Sequence, residues 1–473
     1  MGAGAIKRQG STFRKHAVPM LFNSVHYLLF LPVVAAVYFA LPQTGRRYWL
    51  LAASIYFYAV FSIPLILLLV YAIILNYGAA HAIEKSPRYK RAVLSLAITG
   101  NLAMLFAFKY FDFFAANVNA LAGGEFLPLT HIILPLGISF YTFQAISYIV
   151  DVYRGAIKPE RNILDVALYL AYFPQLVAGP IMRAGDLIPQ FKTKEPFNTA
   201  RIFSGFLLLV WGLTKKLFIA DPMGSIADQV FSAPETMSGS ALLTGTYAFA
   251  IQIFADFSAY TDMAIGSSRI LGLRLMENFR LPYLATSLRD FWHRWHISLS
   301  TWLRDYLYIP LGGNRHGFPR IATAIMVTMV LGGLWHGASW NFLIWGALHG
   351  VFLIGEKLLP RGDAKIKNEL SNWFFTFHVI CLGWIFFRAE TFDGALSVIK
   401  GIATWQDGAG VSMAPLFVLA AVLGTQILQT RSDVHGFFLR HALLGRWLAY
   451  GALALCMIAL LGGRSPEFIY FQF

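Results

Sequence analysis

Cysteine and charge are both scarce in this chain of 473 residues. The two cysteines, Cys381 and Cys456, each lie inside an apolar run, which excludes a disulfide framework and a cysteine metal site. Charged residues make up 13% of the chain, whereas a soluble domain usually carries about 25%. This shortage of charge argues against a soluble globular protein and for one whose main solvent is lipid.

A cleavable signal peptide and an internal repeat are also missing. The first 19 residues are basic but contain no apolar core, so they do not resemble a secretory signal. We predict a basic N-terminal arm over residues 1–19 and one membrane domain over residues 20–473, with translation from Met20 as an alternative. The missing repeat counts against a carrier, because many transporters are built from repeated halves.

Long apolar runs are what the sequence does contain. Hydrophobic residues make up 57% of the chain and the mean hydropathy is +0.58. A helix needs roughly 20 apolar residues to cross a bilayer. The sequence therefore predicts an all-α polytopic membrane protein with about 11–13 transmembrane helices. The predicted spans are Val25–Leu41, two within Tyr48–Ala82 broken near Pro64, Ala92–Phe114, a broken or cavity-lining helix at Ile132–Val150, Leu164–Ala178, Ile202–Ile219, Leu242–Ile270, Ile321–Leu334, Ala338–Leu353, Asn372–Phe387, Ala414–Leu428 and Leu443–Leu461.

The net charge of +14 has a membrane explanation. Basic residues collect in short loops between apolar runs, as in residues 84–91, which is the pattern of cytoplasmic loops and argues against nucleic-acid binding. Arg46 and Arg47 lie on the other side of a segment long enough to cross twice, so we expect both clusters on the cytoplasmic side. The basic N-terminal arm argues the other way for the first span. The expected location is a bacterial inner membrane, crossed many times.

Residues 287–309 show a different pattern. Apolar residues recur there at helical spacing, and the opposite face carries Asp290, His293, Arg294 and other polar residues. This segregation predicts one amphipathic helix along an interface or a cavity, with His296 at the edge of the apolar stripe. The alternative is that both histidines simply face lipid headgroups. Two histidines three residues apart, without an acidic or cysteine partner at ligand spacing, do not predict a metal site.

His336 is the strongest candidate for a catalytic residue. It lies between two apolar runs, where a titratable side chain is rare and by default suggests a functional site. A neutral imidazole is the natural general base near pH 7. Trp335 and Trp340 are predicted to wall a dry pocket, with Asn341 beside them. The alternative for His336 is a hydrogen bond to a neighbouring helix, and we interpret His349 as structural.

Two aspartates in an apolar stretch form a second polar feature. Asp256 and Asp262 are costly inside a membrane unless they are paired. They are expected to neutralise Arg269 or Arg294, or to orient a catalytic histidine. The ion-pair interpretation is at least as good as the catalytic one.

Several blocks together resemble the membrane-bound O-acyltransferase (MBOAT) family, from about residue 20 to residue 390. Their order along the chain is a more specific signal than any single block. Within the family the blocks are closest to the branch typified by alginate O-acetylation. The blocks are Leu134-Pro-Leu-Gly-Ile-Ser-Phe-Tyr-Thr-Phe-Gln144, Phe173-Pro-Gln-Leu-Val-Ala-Gly-Pro-Ile181, Asp256-Phe-Ser-Ala-Tyr-Thr-Asp262, Phe291-Trp-His-Arg-Trp-His-Ile-Ser-Leu-Ser300 and Trp335-His-Gly337.

The resemblance implies a fold, a donor and an acceptor. The fold would be a ring of tilted helices, with amphipathic and re-entrant helices, around a thinned central funnel. The family's invariant histidine maps onto His336, and its second polar position maps onto the segment His293–His296, with His296 the preferred match. The implied donor is acetyl-CoA, with no bound cofactor. The implied acceptor is a hydroxyl on a periplasmic SGNH-like partner, which passes the acetyl group to an exopolysaccharide such as alginate.

Other functions stay open at this point. Within the family they are O-acetylation of cellulose or peptidoglycan and export of D-alanyl groups. Outside it, a transporter would give solute flux without acyl-CoA, and a scaffold for a periplasmic transferase would tolerate loss of His336. The sequence has no serine nucleophile elbow and no glycine-rich nucleotide loop, which fits an enzyme that supplies a pocket and a base.

Overall fold

The computed structural model describes residues 20–132, 134–177, 179–358, 369–431, 434–462 and 468–469, and the predicted N-terminal arm lies outside them. Within these ranges the regular elements are helices, and an isolated β-bridge joins Met237 to Ala409. The predicted all-α class is confirmed.

The first five helices form four successive rods, because α4 and α5 are continuous. The predicted break near Pro64 is present, because α2 ends and α3 begins on either side of it. A π-helical turn over Phe106–Tyr110 joins α4 to α5 without interrupting the rod. The bounds are α1 (Val25–Ala40), α2 (Gln43–Phe61), α3 (Ile66–Lys85), α4 (Lys90–Leu105) and α5 (Phe111–Ala122).

The next four helices are short or deeply buried. The first begins only after Gly137, whose φ of 73° no ordinary residue adopts easily, so the helix predicted as broken at Ile132–Val150 starts instead at Ile138 and continues unbroken to Tyr153. The predicted span Leu164–Ala178 is wrong. The helix there ends after nine residues, because Pro174 has no N–H to donate to the carbonyl of Leu170. The bounds are α6 (Ile138–Tyr153), α7 (Ile163–Ala171), α8 (Phe173–Leu176) and α9 (Ala184–Lys192).

The longest helices pack backbone against backbone. A Cβ on Gly205 would lie 2.6 Å from the carbonyl oxygen of Gly266, and one on Gly212 would lie 2.6 Å from that of Ala259. Small residues allow this approach, which suits helix packing in a membrane. The elements are α10 (Thr199–Lys215), a π-helical turn (Lys216–Ala220), α11 (Asp221–Ser232) and α12 (Gly239–Ile270).

The segment predicted as one amphipathic helix over residues 287–309 is a helical hairpin instead. The chain leaves the helix at Trp295 and His296, and the φ of His296 is 42°. The next N–H groups, of Ile297 and Ser298, donate to the carbonyl and side-chain oxygens of Asn278 at 3.0 and 3.1 Å. Asn278 therefore starts a new helix where periodicity alone would continue the old one. The elements are α13 (Leu288–Arg294), α14 (Ile297–Leu303) and a π-helical turn (Arg304–Tyr308).

The remaining helices complete the bundle. They are α15 (Phe318–His336), α16 (Trp340–Leu358), α17 (Glu369–Arg388), α18 (Phe392–Thr404), α19 (Ala414–Arg431), α20 (Val434–Arg440) and α21 (Ala442–Gly462). Of the described residues, six helical stretches are long and apolar enough to cross a membrane. They are Ile66–Lys85, Lys90–Ala122, Thr199–Ser232, Phe318–His336, Glu369–Arg388 and Leu443–Gly462. The predicted 11–13 spans also include shorter or more polar helices, such as α1 and α12.

One end of the bundle gathers basic loops. Arg47 pairs with Asp165 at 2.8 Å, and Arg161 pairs with Glu84 at 2.8 Å. These contacts place the cluster at Arg46 and Arg47 on the same face as the loop at 84–91, as the sequence analysis expected. We call this end the basic face. At the other end, the indole N–H of Trp340 donates to Asn117 at 2.9 Å, where α5 and α16 meet.

Candidate functional site

His336 is the last residue of α15 and lies inside the bundle, with 5% of its surface exposed. Its ring centroid is 5.1 Å from that of Trp345 on α16 and 5.3 Å from that of Phe387 on α17. Both contacts are edge-on. The imidazole is therefore held in an aromatic cage at a helix terminus, where the chain turns towards α16.

The hairpin of α13 and α14 carries His296 to the same place. The ring centroids of His296 and His336 are 6.5 Å apart, and His296 is fully buried. Phe257 of α12 packs edge-on against His296, with 4.6 Å between the ring centroids. Neither ring nitrogen of His296 has a hydrogen-bond partner in the described part of the chain. A buried imidazole in this state can still bond a bound group.

The hairpin enters from the basic face and turns back at His296. The N–H groups of Leu288 and Arg289, at the start of α13, donate to the carboxylate of Glu356 at the end of α16. After the second arm, Tyr308 donates to Asn314, which also accepts a bond from Lys357. Both arms thus begin and end near one face, and His296 lies at the deep tip.

The structure separates the two histidines that the sequence left as alternatives. His296 meets His336, whereas His293 is exposed. Arg294 donates to Asp290 within α13 at 2.8 Å and to the carbonyl of Arg280 at 3.5 Å. The break at His296 causes this separation, because it removes His296 from the helical phase that His293 follows.

Of the predicted pocket residues, Trp335 lines the site and Trp340 does not. The buried ring of Trp335 lies 6.0 Å from that of His296. Trp340 is 59% exposed at the far end of the bundle, so its prediction as a pocket wall is wrong. Its place just after the turn points it away from the cage. The side chain of Asn341 donates to the carbonyl of Ala389 at 2.8 Å, which ties α16 to the end of α17.

Asp256 and Asp262 have lysine partners. Lys216 lies 3.1 Å from Asp256 and 2.7 Å from Asp221, and all three side chains are largely buried. Lys215 lies 2.7 Å from Asp262. The expectation that Arg269 or Arg294 would neutralise these aspartates is wrong, since Arg269 donates to Ser204 and Arg294 donates to Asp290. The two lysines flank the start of the π-helical turn after α10, a position that the apolar pattern of that span concealed.

The sequence blocks converge on the histidine pair. A small core cluster joins Phe140 and Phe143 from the first block, Ile181 from the second, Leu299 from the fourth and Trp335 from the last. The third block contributes Phe257, which contacts His296. Segments spread over some two hundred residues therefore build the walls of one buried site.

Lys109 was missed by the sequence analysis. Its ammonium donates to the carbonyl of Trp335 at 2.6 Å and to that of His336 at 3.1 Å. The available signal was the charge itself, because a lysine inside the apolar run 92–114 is as unusual as a histidine. His349, which we interpreted as structural, is buried with its ring 4.8 Å from that of Trp345.

A separate cavity opens on the basic face, away from the histidines. It has a volume of about 610 Å³ and is lined by residues that include Arg47, Glu160, Asp165 and Lys192. Burial alone would raise the pKa of Glu160, but the hydrogen bond and charge of Lys192, with the N–H of Asn162, lower it below its usual value. The cavity walls are thus cross-linked by ion pairs.

The fold and the site together define a multi-pass membrane protein that brings two imidazoles together in its interior. The family model of the membrane-bound O-acyltransferases matches residues 159–388. The chain is 43% identical to the probable alginate O-acetylase AlgI of Azotobacter vinelandii over 398 residues, which cover 82% of this chain and 79% of that protein.

Similarity extends to two other kinds of protein. The chain is 37% identical to the peptidoglycan O-acetyltransferase of Helicobacter pylori, with 81% of this chain and 80% of that protein covered. It is 27% identical to the teichoic acid D-alanyltransferase of Bacillus subtilis, with 56% of this chain and 71% of that protein covered. The chain belongs to the membrane-bound O-acyltransferase family and is an O-acyltransferase, and the resemblance noted in the sequence is confirmed.

Proposed function

We propose that this protein moves acetyl groups from acetyl-CoA in the cytoplasm to a hydroxyl on the extracytoplasmic side, for O-acetylation of an exopolysaccharide such as alginate. A periplasmic SGNH-like transferase is the proposed acceptor of the acetyl group. The observation that carries the proposal is that His296 and His336 lie side by side inside the bundle, with 6.5 Å between their ring centroids.

The relatives support acetyl rather than another acyl group. The similar proteins with names that specify O-acetylation match about four fifths of this chain, at 37–43% identity. The similar D-alanyltransferase matches 56% of it at 27% identity. Alginate is preferred to peptidoglycan as the final acceptor because the alginate relative is the more similar of the two.

Charge supports the proposed orientation. Basic residues are retained preferentially in cytoplasmic loops. The basic face carries six cations, at the ends of helices or in the loops between them: Arg46, Arg47, Arg154, Arg161, Lys192 and Arg201. The hairpin enters from this face, whereas the turn after His336 approaches the other end. We therefore propose that the donor arrives along the hairpin and that the acceptor arrives from the end near Trp340.

The proposed chemistry uses His336 as a general base. Its imidazole takes the proton of the attacking hydroxyl while the oxygen forms a bond to the thioester carbon. His296 donates a hydrogen bond to the developing oxyanion or orients His336. The carbon–sulfur bond then breaks, and the proton held by His336 passes to the leaving thiolate. The products are an acetyl ester and a free thiol. A transient acetyl-histidine on His336 is the alternative route.

A buried setting suits this chemistry. Aromatic rings surround both imidazoles, and in such a low-dielectric site hydrogen bonds to a developing charge are stronger than in water. Neither ring nitrogen of His296 has a hydrogen-bond partner in the described part of the chain, so His296 can bond a small group held beside His336.

The test measures the O-acetyl content of secreted polysaccharide in a strain that lacks the gene, complemented with wild type or with His336→Ala. Membrane levels of the two proteins are matched by immunoblot, and peptidoglycan acetylation is measured in the same cultures. We expect polysaccharide acetylation to disappear with His336→Ala while polymer yield stays normal. Retained acetylation would reject the proposed base and favour a scaffold, and a change confined to peptidoglycan would reassign the acceptor.

A further inference from the structure

The last four carbonyl groups of α15 need hydrogen-bond donors from outside the helix, because the last carbonyls of a helix have no partners within it. The carbonyl of Gly333 accepts a long bond from the N–H of Gly337 at 3.4 Å. The carbonyl of Leu334 accepts from the hydroxyl of Tyr110 at 3.1 Å. The last two, of Trp335 and His336, accept from the Lys109 ammonium. Two adjacent residues of another helix thus satisfy three of the four carbonyls.

Both of these donors lie in a π-helical turn. Phe106–Tyr110 forms one wide turn between α4 and α5, and such single turns occur frequently at functional sites. The wide turn changes the direction of the side chains beyond it. Here it aims Lys109 and Tyr110 together at the end of α15. Ser139, at the start of α6, accepts a longer bond from the same ammonium at 3.4 Å.

The charge of Lys109 matches the helix that it caps. The C-terminus of a helix carries a partial negative charge, which a cation stabilises within the last turn. Lys109 also lies over the ring of Trp335, with its nitrogen 5.9 Å from the ring centroid. It therefore holds both the backbone of His336 and the adjacent wall of the site.

We propose that Lys109 is a positioning residue, which fixes the end of α15 so that the His336 imidazole faces His296 and the reacting group. This inference rests on the proposed role of His336. A displacement of about 1 Å at a reacting group is enough to reduce a rate about 100-fold. Lys109 thus acts on turnover through the His336 backbone and makes no contact with the donor.

The test compares Lys109→Met, Lys109→Arg and wild type in proteoliposomes supplied with labelled acetyl-CoA and an acceptor-side extract. Turnover is expressed per folded molecule, counted by fluorescence size-exclusion. We expect Lys109→Met to lower kcat about 100-fold with the KM for acetyl-CoA within roughly threefold of wild type. Lys109→Arg keeps a cation with several donors and is expected to recover much of the loss. Lys400→Met, which removes an exposed lysine on α18, is the matched control and is expected to match wild type.

The outcomes separate this inference from the proposed function. If wild type transfers no label from acetyl-CoA, the donor proposal fails. If wild type is active, His336→Ala is inactive and Lys109→Met turns over like wild type, the positioning role is rejected while the base stands. A rise in KM equal to the fall in kcat/KM would also reject it. Should Lys109→Met fail to accumulate, Lys109→Gln, which keeps the donors without the charge, is measured instead, with Tyr110→Phe expected to show a smaller loss of kcat.

Discussion

The lysine–aspartate cluster and the histidine pair both lie inside the bundle, and they are built in opposite ways. The lysine–aspartate cluster pairs each buried charge with an opposite one: Lys216 contacts both Asp256 and Asp221, and the N–H of Ile469 also donates to Asp256. At the histidine pair, His296 packs against the rings of Phe257 and Trp335, and its ring nitrogens have no hydrogen-bond partner within the described ranges. Removing one partner of a buried ion pair leaves an uncompensated charge that costs stability, whereas an imidazole enclosed by apolar rings is available to a substrate.

The comparison predicts that the histidine site controls activity beyond any effect on the amount of folded protein. We expect His296→Ala to reduce acetyl transfer by roughly 10²–10⁴-fold, the usual range for an acid–base or hydrogen-bonding group. His293→Ala, an exposed histidine three residues away, is the matched control and is expected to remain close to wild type. The measurement is polysaccharide O-acetyl content at equal membrane levels. Equal losses in both variants would contradict the assignment of His296.

In the lysine–aspartate cluster, we expect a substitution to lower stability. Lys216→Met leaves the buried carboxylates of Asp256 and Asp221 without their common cation, and breaking such a pair typically costs about 3–5 kcal/mol. We expect low membrane levels and a lower unfolding temperature in detergent. The double variant Lys216→Met with Asp256→Asn removes one charge of each sign and is expected to recover part of the loss. A stable but inactive Lys216→Met protein would instead move this cluster into the catalytic machinery.

The sequence alone predicted the class, most of the long helices and both histidines as candidates. It failed where a distant residue decides local structure. Helical periodicity runs through residues 287–309, but Asn278, in the loop before α13, accepts bonds from the N–H groups of Ile297 and Ser298 and so starts a second helix there. The sequence did not predict the lysine partners of Asp256 and Asp262 either, because these ion pairs depend on how the end of α10 and the turn that follows it pack against α12. Trp340 was misplaced because adjacency in sequence does not fix which side of a turn a ring faces.

A partly exposed ion pair at the surface contributes less to stability than the buried lysine–aspartate pairs. Lys192, which is 44% exposed, bonds Glu160 at the rim of the cavity on the basic face. The folded state lowers the pKa of Glu160, so the pair stabilises the protein above the pKa of an ordinary glutamate. That contribution is lost as the pH falls through the lowered pKa of the folded state.

We expect Glu160→Gln to lower the unfolding temperature only slightly at neutral pH, because partly exposed pairs contribute less than about 1 kcal/mol. The difference from wild type should vanish under acidic conditions, where Glu160 is protonated in both the folded and unfolded states. Unfolding scans of the two proteins in detergent between neutral and acidic pH measure this convergence. A difference that grew on acidification would show that Glu160 acts through something other than its charge, since the sign of the lowered pKa allows only convergence.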